Sequence, residues 1–163
     1  MNYSKIIEND FCAAPKVCVS LFVSGCALHC PGCHNAELWD EHAGQEFTDD
    51  TIQKIIRYIG ANGFTRDLCL MGGDPFYSGN PLWLCKLITK VKEVYPRIKV
   101  YAWTGYTYEQ LSESPRAEWA ALLKSIDCLI DGPFILEQRD ITLPMRGSRN
   151  QRILELKDGK IIC

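Results

Sequence analysis

Two hydrophobic periods take turns along this chain. Residues 17–24 are a dense run of Val, Leu and Phe that stops at Gly25, the mark of a buried strand. Thr48 then stands as a helix N-cap before Asp49 and Asp50. Ile52, Ile55, Ile56 and Ile59 follow at helical spacing, with Gly60 and Gly63 as the stop. Residues 67–71 form a second apolar strand, ending in Gly72-Gly73. Asn80-Pro81 opens the next helix, because proline suits the first helical position. Leu84, Leu87, Ile88, Val91 and Val94 make its stripe, and Pro96 ends it. Residues 99–104 are the third strand, before Gly105. Ser114-Pro115 starts a helix with a stripe of Trp119, Leu122, Leu123 and Ile126. Residues 127–131 are the fourth strand, before Gly132, and Asp158-Gly159 joins residues 152–157 to 160–163 in a β-hairpin.

Strand and helix in turn imply right-handed crossovers and a parallel α/β sheet. The four strands are too few to close an eight-stranded barrel, which takes about 250 residues. The sheet is therefore expected to be open on at least one side. The 163 residues show no repeat and no linker, and their length fits one domain.

Composition changes little in this picture. Apolar content of 47% and charged content of 23% are those of a globular protein. A net charge of −2 carries no footprint for nucleic acid, and no run is long enough to span a membrane. The first ten residues lack the basic start and apolar stretch of an export signal, so a cytoplasmic location is expected.

Nine cysteines change the picture more. Cys69, Cys85 and Cys128 lie inside apolar runs and read as small core hydrophobes. Cys12, Cys18 and Cys163 have no metal-binding spacing, which leaves their roles open. Cys26, Cys30 and Cys33 crowd into one loop after the first strand, spaced C-x3-C-x2-C. A four-iron cluster takes one ligand per iron, so three thiolates leave one iron open to a small molecule. The competing reading is zinc, with His29, His34 or His42 as fourth ligand. The tight spacing favours the cluster, since zinc sites separate their cysteine pairs by a longer spacer.

The four glycine-ended strands place this loop on the ligand edge of the sheet, where α/β folds bind. At the second strand end Gly72 and Gly73 leave backbone bare for a ligand, and Asp74 adds a charged acceptor or caps the turn. Trp103-Thr104-Gly105-Tyr106 and Asp131-Gly132-Pro133-Phe134 occupy the other two ends. Arg146, Arg149 and Arg152 read as a solvated loop or as a site for an anion or an acidic partner.

These motifs resemble the radical S-adenosylmethionine enzymes, whose C-x3-C-x2-C loop holds a [4Fe-4S] cluster. The resemblance is closer to one branch, the activating enzymes of anaerobic ribonucleotide reductase. It rests on Met1-Asn2-Tyr3, Leu21-Phe22-Val23-Ser24-Gly25-Cys26, Cys30-Pro31-Gly32-Cys33, Gly72-Gly73-Asp74-Pro75, Trp103-Thr104-Gly105-Tyr106, Asp131-Gly132, Arg146-Gly147-Ser148 and Asn150-Gln151-Arg152, in that order. Gly32 replaces the aromatic residue of many radical enzymes, His34 stands where the branch often has tyrosine, and Ala13-Ala14-Pro15-Lys16 replaces a glycine-rich turn.

The resemblance implies a single radical S-adenosylmethionine domain over residues 1–163, folded as a partial, open TIM-like (β/α) barrel with helices outside and a C-terminal hairpin. It implies cluster ligands Cys26, Cys30 and Cys33, and S-adenosylmethionine contacts at Gly32, Cys33, His34, Gly72, Gly73 and Asp74. It implies an oxidoreductase that receives an electron from a flavodoxin-type donor and makes a 5′-deoxyadenosyl radical. That radical would place a glycyl radical on the large subunit of anaerobic ribonucleoside-triphosphate reductase. No general base is needed, so no catalytic side chain is named. The alternatives are an activase of a pyruvate formate-lyase type enzyme, a small-molecule radical enzyme, and a zinc or iron–sulfur interaction module.

Overall fold

A computed structural model describes residues 1–162, and the sequence-predicted end of the hairpin at Cys163 lies outside the described residues. The strands are β1 (Asn2–Asp10), β2 (Cys18–Val23), β3 (Gln45–Glu46), β4 (Asp67–Gly72), β5 (Val100–Trp103), β6 (Cys128–Asp131), β7 (Arg152–Lys157) and β8 (Lys160–Ile161). The helices are α1 (Asp49–Ile59), α2 (Asn80–Val94), α3 (Tyr108–Ser112) and α4 (Ala117–Ser125).

The strand order is β3-β1-β2-β4-β5-β6-β7-β8. The four strands read from the sequence, β2, β4, β5 and β6, pair in parallel in that order. Antiparallel strands extend the sheet on both sides, β1 and β3 beyond β2, and β7 and β8 beyond β6. The sheet is therefore mixed rather than parallel throughout. It is also open, as expected, because its outer strands β3 and β8 do not pair. Of the expected TIM-like arc, the pairing establishes only this open α/β sheet.

Strand β1 escaped the sequence pattern for a physical reason. Its pairing with β2 shifts register twice, between Tyr3 and Lys5 and between Ile7 and Asp10, which breaks the period of two. The predicted helices are present with local adjustments. Thr48 caps α1 in a reciprocal bond pair with Thr51. Val94 leaves the α2 stripe and is exposed. Ser114-Pro115 lies in a connection, because α3 comes first, capped by Thr107 and Gln110, and α4 begins only at Ala117. Asp158 and Gly159 both take positive φ, 52° and 76°, as the hairpin turn requires.

One face of the sheet carries the main core. Val19, Leu21, Leu68, Leu70 and Val100 pack there with Ile52, Ile55, Leu84, Leu87 and Val91 from the helices. Alternation along β4 sends Cys69 and Met71 to the other face, which has its own small cluster of Ala14, Cys18, Cys69, Tyr101, Cys128 and Ile130. No helix among the described residues is long and apolar enough to cross a membrane.

Candidate metal centre

The cysteine loop leaves β2 and is held at its root by backbone bonds. Gly25 N–H donates to the Leu38 carbonyl at 2.8 Å, and Cys26 N–H to the Trp39 carbonyl at 3.1 Å. At its far end Cys33 N–H donates to the Cys30 carbonyl at 3.1 Å. Pro31 in second place and Gly32 in third, at φ 73°, give that turn the type II signature. Cys26 is buried, and Cys30 and Cys33 are half-buried. Burial pushes the Cys26 thiol up, while the Leu28 and His29 backbone N–H groups pull it back.

All three thiols line one cavity of about 200 Å³, which Gly72, Gly73, Asp74, Gly105 and Gly132 also line. The C-terminal ends of all four parallel strands thus meet at one place. Among the described residues no three His, Cys, Asp or Glu side chains converge on a single ion position. A zinc ion needs such convergence, whereas a cluster takes one thiolate at each of several irons. Nor do the histidines supply a fourth zinc ligand. His29 stacks on Trp39 with centroids 4.5 Å apart, His42 is exposed beside Glu41, and His34 is exposed. The donor set fits a cluster.

The Gly72-Gly73 turn serves the cysteine loop before it can serve any ligand. Gly73 N–H donates to the Val23 carbonyl at 2.7 Å, and Asp74 N–H to the Gly25 carbonyl at 2.8 Å. A Cβ on Gly73 would lie 2.5 Å from the Gly25 carbonyl oxygen and 2.8 Å from that of Leu38. Only glycine lets the two loops approach this closely.

Asp74 is 1% exposed, and its carboxylate ties β4 to β5. It accepts from Phe76 N–H at 2.8 Å, from the Thr104 hydroxyl at 2.9 and 3.0 Å, and from Gly105 N–H at 3.0 Å. Burial pushes this carboxyl up to about 6, against the lowering effect of those same donors. Gly32 and His34 do not line the cavity. Gly32 instead sits under the Leu136 side chain.

The arginine cluster divides. Arg152 Nε donates to Asp131 at 2.9 Å, and its terminal nitrogens donate to Glu109 at 2.8 and 3.1 Å, so its charge is already matched. Arg149 pairs with Asp140 at 3.2 Å. Arg146 donates to the Gln151 carbonyl at 3.3 Å, and its Nε is buried without a partner. The three do not form one anion site. Sequence reasoning missed Asn35, Trp39 and Gln151 as cavity residues. Asn35 and Trp39 follow the loop without any periodic signal. Gln151 fixes the wall through its amide, which accepts from Gly147 N–H at 2.8 Å and donates to the Gly132 carbonyl at 3.1 Å.

Comparison with known proteins agrees with this donor set. The family described as a 4Fe-4S single cluster domain matches residues 15–154. Three curated relatives are named anaerobic ribonucleoside-triphosphate reductase-activating protein. The one from Vibrio cholerae is 39% identical over 94% of this chain and 97% of its own length. The one from Enterobacteria phage T4 is 35% identical over 98% of this chain and 97% of its own length. The one from Escherichia coli K12 is 33% identical over 96% of this chain and all of its own length.

Proposed function

Because the chain belongs to the family of anaerobic ribonucleoside-triphosphate reductase-activating proteins, with a 4Fe-4S cluster domain, we propose that it activates that reductase by radical S-adenosylmethionine chemistry. Cys26, Cys30 and Cys33 would each hold one iron of a [4Fe-4S] cluster, leaving one iron without a thiolate from this loop. The bound pair supplies one-electron reductive cleavage of a carbon–sulfur bond, the source of a 5′-deoxyadenosyl radical that takes hydrogen from a glycine of the reductase. A flavodoxin-type protein is the electron donor.

The observation that carries this reading is the meeting of three thiols and four strand ends at one cavity. The chain's own residues bind and shield. The Gly72-Gly73 turn, which lines the cavity, would hold the amino end of the cofactor, and Asp74 fixes that turn and would add negative charge near an ammonium. Leu28, Trp39, Trp103 and Phe134 make the walls apolar, which keeps water from a reactive radical. Small-molecule pockets commonly enclose about 300–1,000 Å³, against about 200 Å³ here. The sheet, read as the arc of a barrel left open, therefore relies on the partner to complete the enclosure.

The test is anaerobic reconstitution, followed by cofactor cleavage with and without the reductase. Iron and sulfide bound to the chain, 5′-deoxyadenosine formed, and a glycyl radical signal on the reductase by electron paramagnetic resonance are the expected results. Cleavage with no radical on this reductase, but radical on a pyruvate formate-lyase type partner, would move the assignment to that partner. A colourless protein holding one zinc would end it.

A further inference from the structure

The helix-free face of the sheet carries a groove that runs on from the cavity. Its floor is Met71 and Trp103, and both of these side chains also line the cavity. One wall is Asp10, the last residue of β1, with Cys12 and Ala13 from the link to β2. The other is Leu143, Met145 and Arg146, from the long β6–β7 connection. That connection is firmly built despite lacking strands. Trp103 Nε1 donates to the Met145 carbonyl at 2.7 Å, Asn150 Nδ2 to the Pro133 carbonyl at 2.7 Å, and Arg139 bridges to Ser148. A long, ordered loop of this kind in a compact domain is commonly functional.

Two large apolar side chains stand beside this groove with nothing over them. Phe11, next to Cys12, is 73% exposed, and Ile141, two residues before Leu143, is 83% exposed. Arg146 adds polar chemistry to the wall. It is half-buried, and its guanidinium makes one hydrogen bond among the described residues, from Nη1 to the Gln151 carbonyl, which leaves other N–H donors for an incoming carbonyl oxygen. The Asp10 carboxylate is held within its own wall, where it accepts from Cys12 N–H, Ala13 N–H and the Ser20 hydroxyl.

We propose that this groove is the docking track for an extended segment of the reductase polypeptide that leads to the target glycine, with Phe11 and Ile141 gripping apolar side chains and Arg146 taking a backbone carbonyl. The proposal rests on the activase reading above. Continuity argues for this occupant. The glycine must reach the cavity, and the shared Met71 and Trp103 make the groove a direct lead into it. An extended backbone also brings the acceptors that Arg146 lacks, with side chains pointing alternately to either shoulder.

The experiment uses the full chain and the intact reductase. Binding is measured by titration before any reduction, and cofactor cleavage is measured separately without the reductase. Phe11→Asp with Ile141→Asp is expected to weaken binding by about ten-fold or more, the effect of losing apolar anchors, and to leave cleavage without the reductase unchanged. Arg146→Met is expected to weaken binding, and Arg146→Lys to restore it only in part.

Wild-type protein that does not bind the reductase would overturn the activase reading itself. Wild-type protein that binds, with both variants binding equally well, would overturn the groove. Loss of cleavage together with binding would show that these positions support the fold and would also overturn it. A wild-type dimer in sedimentation that the double variant splits would give the face to a second copy of this chain, and the docking track would fall with it.

Discussion

Gly73→Ala tests the geometry of the candidate site most directly. The added Cβ would lie 2.5 Å from the Gly25 carbonyl oxygen, about 0.9 Å inside the 3.4 Å where ordinary contact begins. It would also lie 2.8 Å from the Leu38 carbonyl oxygen. Both obstacles are backbone, so no side chain can swing away. Each carbonyl is also already bonded, Gly25 to Asp74 N–H and Leu38 to Gly25 N–H, both at 2.8 Å. Parting the loops therefore strains both bonds. Overpacking of this kind costs roughly 1–3 kcal/mol, and two weakened hydrogen bonds add up to about 1 kcal/mol each. A total of about 1–5 kcal/mol lowers the melting temperature by roughly 2–20 °C for a chain of this size. Because Gly25 precedes the first cysteine, iron retained after reconstitution should fall too. Gly63→Ala is the control. Nothing lies within 4 Å of its added Cβ, and only its φ of 78° is strained, at about 1–2 kcal/mol. It should melt slightly lower and keep its iron. If Gly73→Ala melts no lower than this control and holds as much iron, the contact between the two loops is not what demands glycine there.

Replacing Cys26, Cys30 or Cys33 singly by Ala should abolish stable iron and sulfide binding, whereas exposed Cys12→Ala should leave it intact; full iron content in any of the three variants would break the ligand assignment. The Asp74 carboxyl, raised to about 6 by burial, binds its proton more tightly folded than unfolded. Its stabilising contribution is therefore full below about pH 4 and lost as pH rises through about 6, a change of roughly 3 kcal/mol. Denaturant unfolding of wild type and Asp74→Asn should show a stability difference that shifts by that amount between pH 4 and 7.5, and a constant difference would contradict the assignment. Arg152→Met should leave the Asp131 carboxylate, which is 1% exposed, without a cation and with the Tyr108 N–H as its remaining donor. The expected loss is about 2–4 kcal/mol, below the full value for a buried pair because the arginine is itself partly exposed. The Glu109 carboxyl, held down to about 2 chiefly by Arg152, should return towards the ordinary value near 4.3 in a carboxyl titration by nuclear magnetic resonance.

The fold was readable wherever apolar residues kept a strict period. β2, β4, β5 and β6 are buried runs between turn residues, and α1 announces itself through Thr48 and its isoleucines. What did not read were elements held by long-range bonds rather than by pattern. β1 depends on a partner strand and two register shifts. Part of its anchorage is Arg66, fully buried, which donates to Asn9 at 2.7 and 2.8 Å and to the Tyr58 and Ala61 carbonyls. No local periodicity encodes that arrangement. The parallel core and the β7–β8 hairpin, marked by Asp158-Gly159, were therefore legible, whereas the β1–β3 border and the pairing of β7 onto β6 were not.

The site shows the same division, and it changes what the glycines mean. Spacing alone brought Cys26, Cys30 and Cys33 to one cavity, since eight residues of loop on one strand end cannot spread far. The glycines at the other strand ends were read as backbone left bare for a ligand. Yet the Cβ directions of Gly72 and Gly73 point at Val23, Gly25 and Leu38 rather than into open space. At Gly105 the Cβ position is taken by Leu28, which belongs to the cysteine loop itself. Gly73 and Gly105 thus make room for the loop, Gly72 lets β4 close on the end of β2, and Asp74 locks the ends of β4 and β5 together. With the loop seated this tightly, the position of its three thiols is set by the sheet. That rigidity suits the radical chemistry proposed above, in which a short-lived radical would have to meet a single hydrogen atom.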